Sequence, residues 1–308
     1  MDSVLAHLSR RLWPLAVANL VANIGIVVTG AAVRLTGSGL GCPTWPRCTD
    51  ASYVAHGELG LHGAIEFGNR LLTFALAAIA VLCFLAALGA RRRRATRLSL
   101  VVGLGIPLQA VIGGITVLTD LNPWIVAGHF LLSMAMIMVC VALVDDLRSP
   151  QREAAPPVPR ALAWATLASG WVVLYLGTVV TGAGPHAGDT ESPRNGLDPS
   201  TISHAHAISV YVLVSLTVAL LVAALRGGHR WLATVTALVL LIEVLQGVLG
   251  WVQYWLDLPV PLVALHMLGA ALLAAGLARI ALAVLPHHAS SEASADGGSQ
   301  PQPATRLG

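Results

Sequence analysis

The stretch QAVIGGITVLTDLNPWIVAGHF at residues 109–130 returns in related form as QGVLGWVQYWLDLPVPLVALHM at residues 246–267. Each copy covers the end of one long apolar segment and the start of the next. Apolar segments of about 20 residues are long enough to cross a bilayer core of roughly 30 Å as helices. The two copies therefore predict two repeated helix pairs in a membrane protein.

Spacing within the copies confirms their alignment. Gln109 precedes His129 by 20 residues, and Gln246 precedes His266 by the same interval, which sets an offset of 137 residues between the copies. The motif VVTG also occurs twice, at 27–30 and at 179–182. These matches indicate an internal duplication, so functional positions are expected in pairs.

Composition supports the membrane assignment over the whole chain. The 308 residues are 56% hydrophobic and 11% charged, whereas soluble domains carry about 25% charged residues. Apolar runs lie near 12–32, 63–89, 98–118, 124–145, 161–183, 203–225, 231–252 and 260–284. Helices satisfy their backbone groups inside lipid, so eight transmembrane helices are predicted. A net charge of +3 is too small to indicate a nucleic-acid partner.

The duplication divides the eight helices equally. Because four is an even number, both halves enter the membrane in the same direction, and a pseudo-twofold axis is expected along the membrane normal. We predict an all-α integral membrane protein with two pseudo-twofold-related four-helix bundles, at residues 1–150 and 151–285. Residues 286–308 are rich in Ser, Gly and Pro, which predicts a disordered cytoplasmic tail.

Arginine placement predicts the orientation of the chain. Most arginines fall on one side of the predicted helices, and the exceptions are Arg34, Arg47, Arg70 and Arg194. Both termini are therefore expected in the cytoplasm, with the loops 33–62 and 184–202 outside. The segment Met1 to Arg11 leads directly into the first apolar run, which predicts a membrane anchor rather than a cleaved signal.

Ionisable side chains converge at the outer ends of four helices. Glu66, His129, His206 and His266 all fall in outer turns, and intramembrane ionisable groups are functional by default. The 137-residue offset relates His206 to Asn69, and therefore favours His206 over the nearby His204. Histidines on facing helices suit haem iron, so His206 and His266 are predicted as the two axial ligands of a six-coordinate haem. The alternative is interhelical packing.

Other polar residues leave two interpretations open. Glu66 can shuttle protons from an apolar pocket, or only stabilise a helix N-terminus. Arg34 and Arg70 can bind haem propionates, or lie at the membrane interface as snorkelling side chains. Glu243 is deeper, has Ile106 as its counterpart, and can pair with a polar neighbour or relay a proton.

The cysteines fall into two groups. Cys42 and Cys48 lie in the outer loop as CPTWPRC, where a disulfide is plausible and a metal pair or free thiols are the alternatives. Cys83 and Cys140 lie within helices and are expected to be packing residues. His186, in the second outer loop, is expected to be a loop residue that can contact the site.

These motifs together resemble the haem A synthase family. The resemblance rests on GAAVRLTGSGLGCPTWPRC at 30–48, IEFGNR at 65–70 and the paired Gln-to-His segments, and it extends from about residue 15 to 285. It implies oxidation of the methyl group of haem O to a formyl group. Two successive hydroxylations give a diol that loses water, and the product serves cytochrome oxidase biogenesis.

The resemblance also implies roles for individual residues. His206 and His266 match the pair that holds haem b in the C-terminal half. In the N-terminal half, His129 matches a ligand position for substrate haem O, and Glu66 matches the catalytic glutamate. The family also has a loop cysteine pair that can form a disulfide, which Cys42 and Cys48 match.

One position departs from the family pattern. Many members carry His where Asn69 stands, and Asn is a poor iron ligand. His62 is a candidate to contact the substrate, because it lies one helical turn from Glu66. However, seven residues separate His62 from Asn69, or about 10 Å along a helix, so His62 is not a simple replacement.

The resemblance predicts location and partners, and two other classes compete with it. A cell-membrane protein is expected, with haem O synthase, oxidase assembly factors and an electron-transfer partner as candidate partners. One alternative is a b-type cytochrome that passes electrons from quinol, with Glu66 in a quinone site. The other is a transporter of parallel repeats, for which Pro107 and the Gly113–Gly114 pair are the only hints of broken helices.

Overall fold

The computed structural model describes residues 2–149 and 151–287, and the described part is helical. Its helices are α1 (Asp2–Ser9), α2 (Leu12–Leu35), α3 (Gly60–Gly89), α4 (Arg93–Leu118), α5 (Pro123–Arg148), α6 (Pro157–Ala183), α7 (Pro199–Arg226), α8 (Arg230–Trp255) and α9 (Val260–Ala283). Helices α2 to α9 are long and apolar enough to cross a membrane. The predicted all-α membrane protein with eight spanning helices is confirmed.

The observed helices extend somewhat beyond the predicted apolar runs, and one helix was not predicted. Helix α1 packs against α3, where the carbonyl of Leu5 lies against Gly89. Its eight residues are too few to give a clear periodic signal in the sequence. Of the tail predicted at residues 286–308, residues 288–308 lie outside the described part of the chain.

Side-chain caps fix the start of two helices that carry candidate histidines. The Asn122 side chain accepts a hydrogen bond from the Trp124 amide at 3.0 Å, and α5 then begins at Pro123. Asp198 accepts from the Thr201 amide at 2.7 Å in the same way at the start of α7. Hydrogen bonds from Thr201 lower the pKa of Asp198, so this cap is charged at neutral pH.

The duplicated turns have the same backbone conformation. Asp120 and Leu121, between α4 and α5, have φ values of 51° and 59°. Asp257 and Leu258, between α8 and α9, have φ values of 57° and 60°. Left-handed residues other than glycine are uncommon, so the match at the 137-residue offset supports a repeat in structure as well as in sequence.

The cores of the two halves correspond position by position. Helices α3, α4 and α5 bury one cluster, made of Leu76, Ala80, Val102, Ile106, Met136 and Cys140. The offset of 137 residues converts this set into Leu213, Thr217, Val239, Glu243, Leu273 and Leu277, all of which are buried. Four of the six positions stay apolar, while Ala80 and Ile106 are replaced by Thr217 and Glu243.

Helix neighbours follow the duplication. In the first half α2 contacts α3 and α5, and α4 contacts α3 and α5; in the second half α6 contacts α7 and α9, and α8 contacts α7 and α9. Between the halves, α5 contacts α9 and α6, and α2 contacts α9. Two four-helix bundles side by side would have these contacts, whereas the pseudo-twofold axis itself stays a prediction.

An ion-pair network joins the connection between the halves to the end of α9. Asp145 accepts a hydrogen bond from Arg152 at 2.9 Å and is also paired with Arg279 and the Ser149 hydroxyl. Arg152 exchanges two backbone hydrogen bonds with His287. Asp145 is 4% exposed, so its charge depends on these partners.

We expect Asp145→Ala to reduce the free energy of unfolding by about 3 kcal/mol, because two guanidinium groups lose their carboxylate. Thermal unfolding in detergent, followed by circular dichroism, measures the change. The matched control is Glu153→Gln, an exposed residue of the same connection, which should stay within about 0.5 kcal/mol. Equal stability of the two variants would contradict the structural role of Asp145.

Candidate functional site

Four candidate residues lie at one level near the same membrane face. Glu66, His129 and His266 are each the seventh residue of α3, α5 and α9, and His206 is the eighth residue of α7. All four helices start at the face that carries the connections 36–59 and 184–198, which we call the loop face. The structure therefore brings together side chains that are far apart in the sequence.

Each candidate histidine ring lies beside a glycine of a neighbouring helix. A β-carbon on Gly113 would lie 3.3 Å from Cε1 of His129. The corresponding distances are 3.3 Å from Gly177 to His206 and 3.6 Å from Gly250 to His266. Glycine at these crossings lets the ring lie directly on the backbone of the next helix, which limits its orientation.

The ring nitrogens leave the histidines free to bind a ligand. Nδ1 of His129, His206 and His266 is buried and has no hydrogen-bond partner in the described part of the chain. The Val173 carbonyl lies near the His206 ring, outside hydrogen-bonding geometry. Buried polar atoms are normally paired, so three imidazoles at one level, each with an unpaired buried nitrogen, fit a role as ligands of haem iron.

A glutamine supports one histidine in each half. Gln109 Nε2 donates to the carbonyl of His129 at 3.1 Å, and Gln246 Nε2 donates to the carbonyl of His266 at 2.8 Å. In the first half Gln109 also contacts the Ser133 hydroxyl at 2.6 Å. The 20-residue spacing in the sequence thus corresponds to a hydrogen bond that fixes the backbone at the histidine.

The halves differ at the position of the second histidine. In the second half, His206 and His266 lie at the same level on α7 and α9. In the first half Asn69 stands at the position of His206, and its Oδ1 accepts a hydrogen bond from Thr29 at 2.8 Å. Only one half therefore brings two imidazoles together.

Empty space accompanies this difference. Gly25 and Gly177 each lie two residues before a VVTG motif. A β-carbon on Gly177 would meet the His206 ring, whereas a β-carbon on Gly25 would have no neighbour within 4 Å. The first half therefore has room where the second half has an imidazole.

Glu66 is held by the loop at residues 36–59 and by Arg70. Its Oε2 accepts from the Cys42 amide at 2.7 Å, and its Oε1 accepts from Arg70 Nη2 at 2.5 Å. Arg70 also donates to the carbonyls of Cys42, Thr44 and Arg47 at 3.1 to 3.2 Å. With 5% of its surface exposed, Glu66 has a fixed orientation at the start of α3.

The loop at residues 36–59 is closed by a disulfide and covers part of the first half. Cys42 and Cys48 are bonded, which confirms the predicted pair. Between them, the Trp45 ring packs on Gly114, the residue after the glycine that contacts His129. The loop therefore connects Glu66 and Arg70 on α3 with the part of α4 that lies beside His129.

Arg34 and His186 join the two halves at the loop face. Arg34 Nε donates to the His186 carbonyl at 2.5 Å, and Nη2 donates to the Thr181 carbonyl at 3.1 Å. The His186 ring in turn contacts the Leu258 carbonyl at 2.8 Å. Arg34 thus belongs to the first half in sequence and contacts the second half in space. A contact between Arg34 and a haem propionate stays a prediction.

His62 and His204 are exposed, whereas His129, His206 and His266 are half-buried. Nδ1 of His62 contacts the Ser38 hydroxyl at 2.9 Å, so it is directed toward the first loop rather than toward Asn69. Nδ1 of His204 contacts the Ser200 carbonyl one turn earlier in its own helix. The position of His204 agrees with the choice of His206 over His204. The position of His62 agrees with its expected separation from Asn69.

Sequence reasoning did not identify Trp45 or the three glycines as parts of the site. Gly113 and Gly250 are related by the 137-residue offset, so the repeat contains a signal for them. No comparable signal exists for Trp45, because its contact with Gly114 joins a loop to a helix far along the chain.

Comparisons with known proteins agree with this architecture. A model of the family described as "Cytochrome oxidase assembly protein", COX15-CtaA, matches residues 13–59 and 61–275. The fold and site define a helical membrane protein with three histidines at one level near one membrane face. The chain belongs to the COX15-CtaA family of cytochrome oxidase assembly proteins.

Several similar proteins carry the name heme A synthase. The chain is 25% identical over 182 residues to one from Bacillus licheniformis, which covers 56% of this chain and 59% of that protein. It is 31% identical over 132 residues to one from Geobacillus thermodenitrificans, with 42% and 41% covered. For one from Bradyrhizobium sp. (strain ORS 278), identity is 26% over 324 aligned positions, with 83% and 86% covered. The first two matches span less than two thirds of those relatives.

We expect Arg70→Gln to accelerate reduction of the Cys42–Cys48 disulfide about tenfold. Loss of a charge-assisted hydrogen bond costs about 1.5–3 kcal/mol and would release the loop from α3. Thiol labelling over time with a water-soluble phosphine measures the rate in purified protein. The control, Arg194→Gln, removes the same charge from the second loop, where Arg194 binds other carbonyls. Equal rates in the two variants would show that Arg70 does not hold the loop.

Proposed function

We propose that this protein is a haem A synthase, which oxidises the methyl group of haem O to a formyl group in two successive hydroxylations. The main supporting observation is that three half-buried imidazoles, each with a buried and unpaired Nδ1 atom, lie at one level, two in one half and one in the other. Membership of a family whose relatives are named heme A synthase supports the same proposal.

The second half would hold haem b. His206 and His266 are the proposed axial ligands, with their rings oriented by Gly177 and Gly250 and the His266 backbone fixed by Gln246. When bound, haem b supplies one-electron transfer, for which two protein ligands suit the iron. The residues of this half bind and orient the cofactor, and none of them is proposed to touch the methyl group that reacts.

The first half would bind the substrate haem O. His129 is the proposed ligand on one side, and Asn69 with the open surface at Gly25 leaves the other side without an imidazole. A substrate needs access to its reacting edge, and one missing ligand is compatible with that need. Arg34 and Arg70 are the proposed cations for propionates, and both donate to backbone carbonyls in this structure.

Glu66 is the proposed catalytic group. Oxidation of a methyl carbon to a diol releases protons, and a fixed carboxyl group beside the substrate can accept them. The Cys42 amide and Arg70 hold both oxygens of Glu66 at the level of His129. His62, one turn earlier on α3, lies where it can contact substrate that enters from the loop face.

Location and partners follow from the same proposal. Arginine placement supports a multi-pass protein of the cell membrane with both termini in the cytoplasm. Haem O synthase would supply the substrate, oxidase assembly factors would receive the product, and an electron-transfer partner would take up the electrons released by the oxidation.

Extraction of haem with mass analysis tests the reaction. The chain is expressed in a bacterium that makes haem O but no haem A, beside an otherwise identical strain without it. We expect haem A only in the strain that carries the chain. Unchanged haem O, with haem b bound to a folded protein and electron partners present, would favour an electron-transfer cytochrome instead.

In the same strain, Glu66→Gln is expected to reduce conversion of haem O at least about 100-fold, because loss of a proton-transfer group typically costs this much. The haem b spectrum should be unchanged. Glu58→Gln, an exposed residue near the same loop, is the matched control and should retain conversion. Loss of haem b from the Glu66 variant would mean that Glu66 has a structural role.

A further inference from the structure

Glu243 is a buried carboxyl group that the proposed reaction does not use. It lies in the middle of α8 with 2% of its surface exposed, and its neighbour Thr217 on α7 is fully buried. An ionisable residue at this depth in a membrane helix is costly, and such residues are retained where they bind ions or relay protons.

Its contacts leave one oxygen free. The Thr217 hydroxyl lies 2.9 Å from Glu243 Oε1, and it also lies 3.0 Å from the Leu213 carbonyl. Oε2 is buried and has no hydrogen-bond partner in the described part of the chain. A buried carboxylate without a cation nearby is strongly disfavoured, so the neutral acid is the favoured form unless a positive charge, such as that of ferric haem, lies close by.

The duplication shows that the helix packing does not need the polar pair Thr217 and Glu243. Ala80 and Ile106 stand at the same two positions in the first half, where they pack within an apolar cluster. The four other positions of the cluster are apolar in both halves. The polar pair is therefore specific to the half that is proposed to hold haem b.

Glu243 is close enough to that site for an electrostatic interaction. Gln246, three residues later, binds the His266 carbonyl, and Gly250, seven residues later, contacts the His266 ring. Seven residues correspond to about 10 Å along the helix axis. Over such a distance inside a membrane protein, screening is weak, and a charge on Glu243 and a charge on haem iron influence one another.

In the described part of the chain, no other ionisable group forms a hydrogen bond or ion pair with Glu243. Helices α7 and α9 pack against α8, and their titratable or charged residues are His204, His206, Tyr211, Arg226, His266 and Arg279. In the described part of the chain, none of these forms a hydrogen bond or ion pair with Glu243. Thr217 is its polar neighbour there.

We propose that Glu243, together with Thr217, is a proton-binding site coupled to haem b. When a one-electron reductant converts the ferric haem to the ferrous haem, the Glu243 carboxylate binds one proton from water and becomes the neutral acid. Reoxidation reverses both changes, so one electron and one proton move together. The inference rests on the proposed haem b site in the second half.

The experiment is a redox titration of haem b in the purified full-length protein, repeated over roughly pH 5.5–9. For a one-electron couple, each tenfold change in proton concentration shifts the midpoint by up to about 59 mV. We expect the wild-type midpoint to fall as pH rises across part of this range. We expect Glu243→Gln to have a midpoint that does not depend on pH.

A double variant, Thr217→Ala with Glu243→Ile, provides a second test if the single variant misfolds. It introduces the residues that pack at these positions in the first half, and its midpoint should also be independent of pH. Glu153→Gln, on the exposed connection between the halves, is the matched control and should behave as the wild type does.

Two results would overturn the inference while leaving the proposed function intact. One is a six-coordinate haem in the wild type whose midpoint does not change with pH. The other is a pH dependence that persists unchanged in both Glu243 variants. Absence of a six-coordinate haem from the folded wild type would instead overturn the proposed function, and this inference with it.

Discussion

The contact between a histidine ring and a glycine of the neighbouring helix is the constraint on which the site depends. At Gly113 and Gly177 a β-carbon would lie 3.3 Å from the ring, closer than ordinary contact, and at Gly250 it would just touch the ring at 3.6 Å. Each ring therefore lies close to the backbone of the next helix. Gln109 and Gln246 then fix the backbone of two of the histidines from the other side. Rigid helices therefore orient the proposed iron ligands.

The duplicated scaffold carries different residues where its halves would differ in task. The second half has two facing imidazoles and a buried Thr–Glu pair below them, as expected for a cofactor site. The first half has Asn69 in place of a histidine, an apolar core, and Glu66 tied to the disulfide loop. The α4–α5 and α8–α9 turns and the core positions are shared, so the difference lies in a few side chains and in the first loop.

Much of this organisation could be predicted from the sequence because membrane helices leave a strong signal. The eight spans follow from apolar length, and the 137-residue offset selects His206 over His204. The loop cysteines pair as expected. Contacts between distant segments could not be predicted, because no local pattern encodes them. Examples are the contact of Trp45 with Gly114 and the hydrogen bond from Arg34 to the His186 carbonyl in the second half. The Glu66–Arg70 ion pair has helical i to i+4 spacing and was detectable in principle.

Electron paramagnetic resonance of the ferric protein tests most directly the central proposal, that the halves bind haem differently. Purified wild type, with haem b bound and no haem O present, should give a low-spin signal of a haem with two imidazole ligands. His129→Ala should keep this signal, whereas His206→Ala and His266→Ala should each lose it. A signal that survives in either of the last two variants, or disappears only in His129→Ala, would contradict the assignment of haem b to the second half.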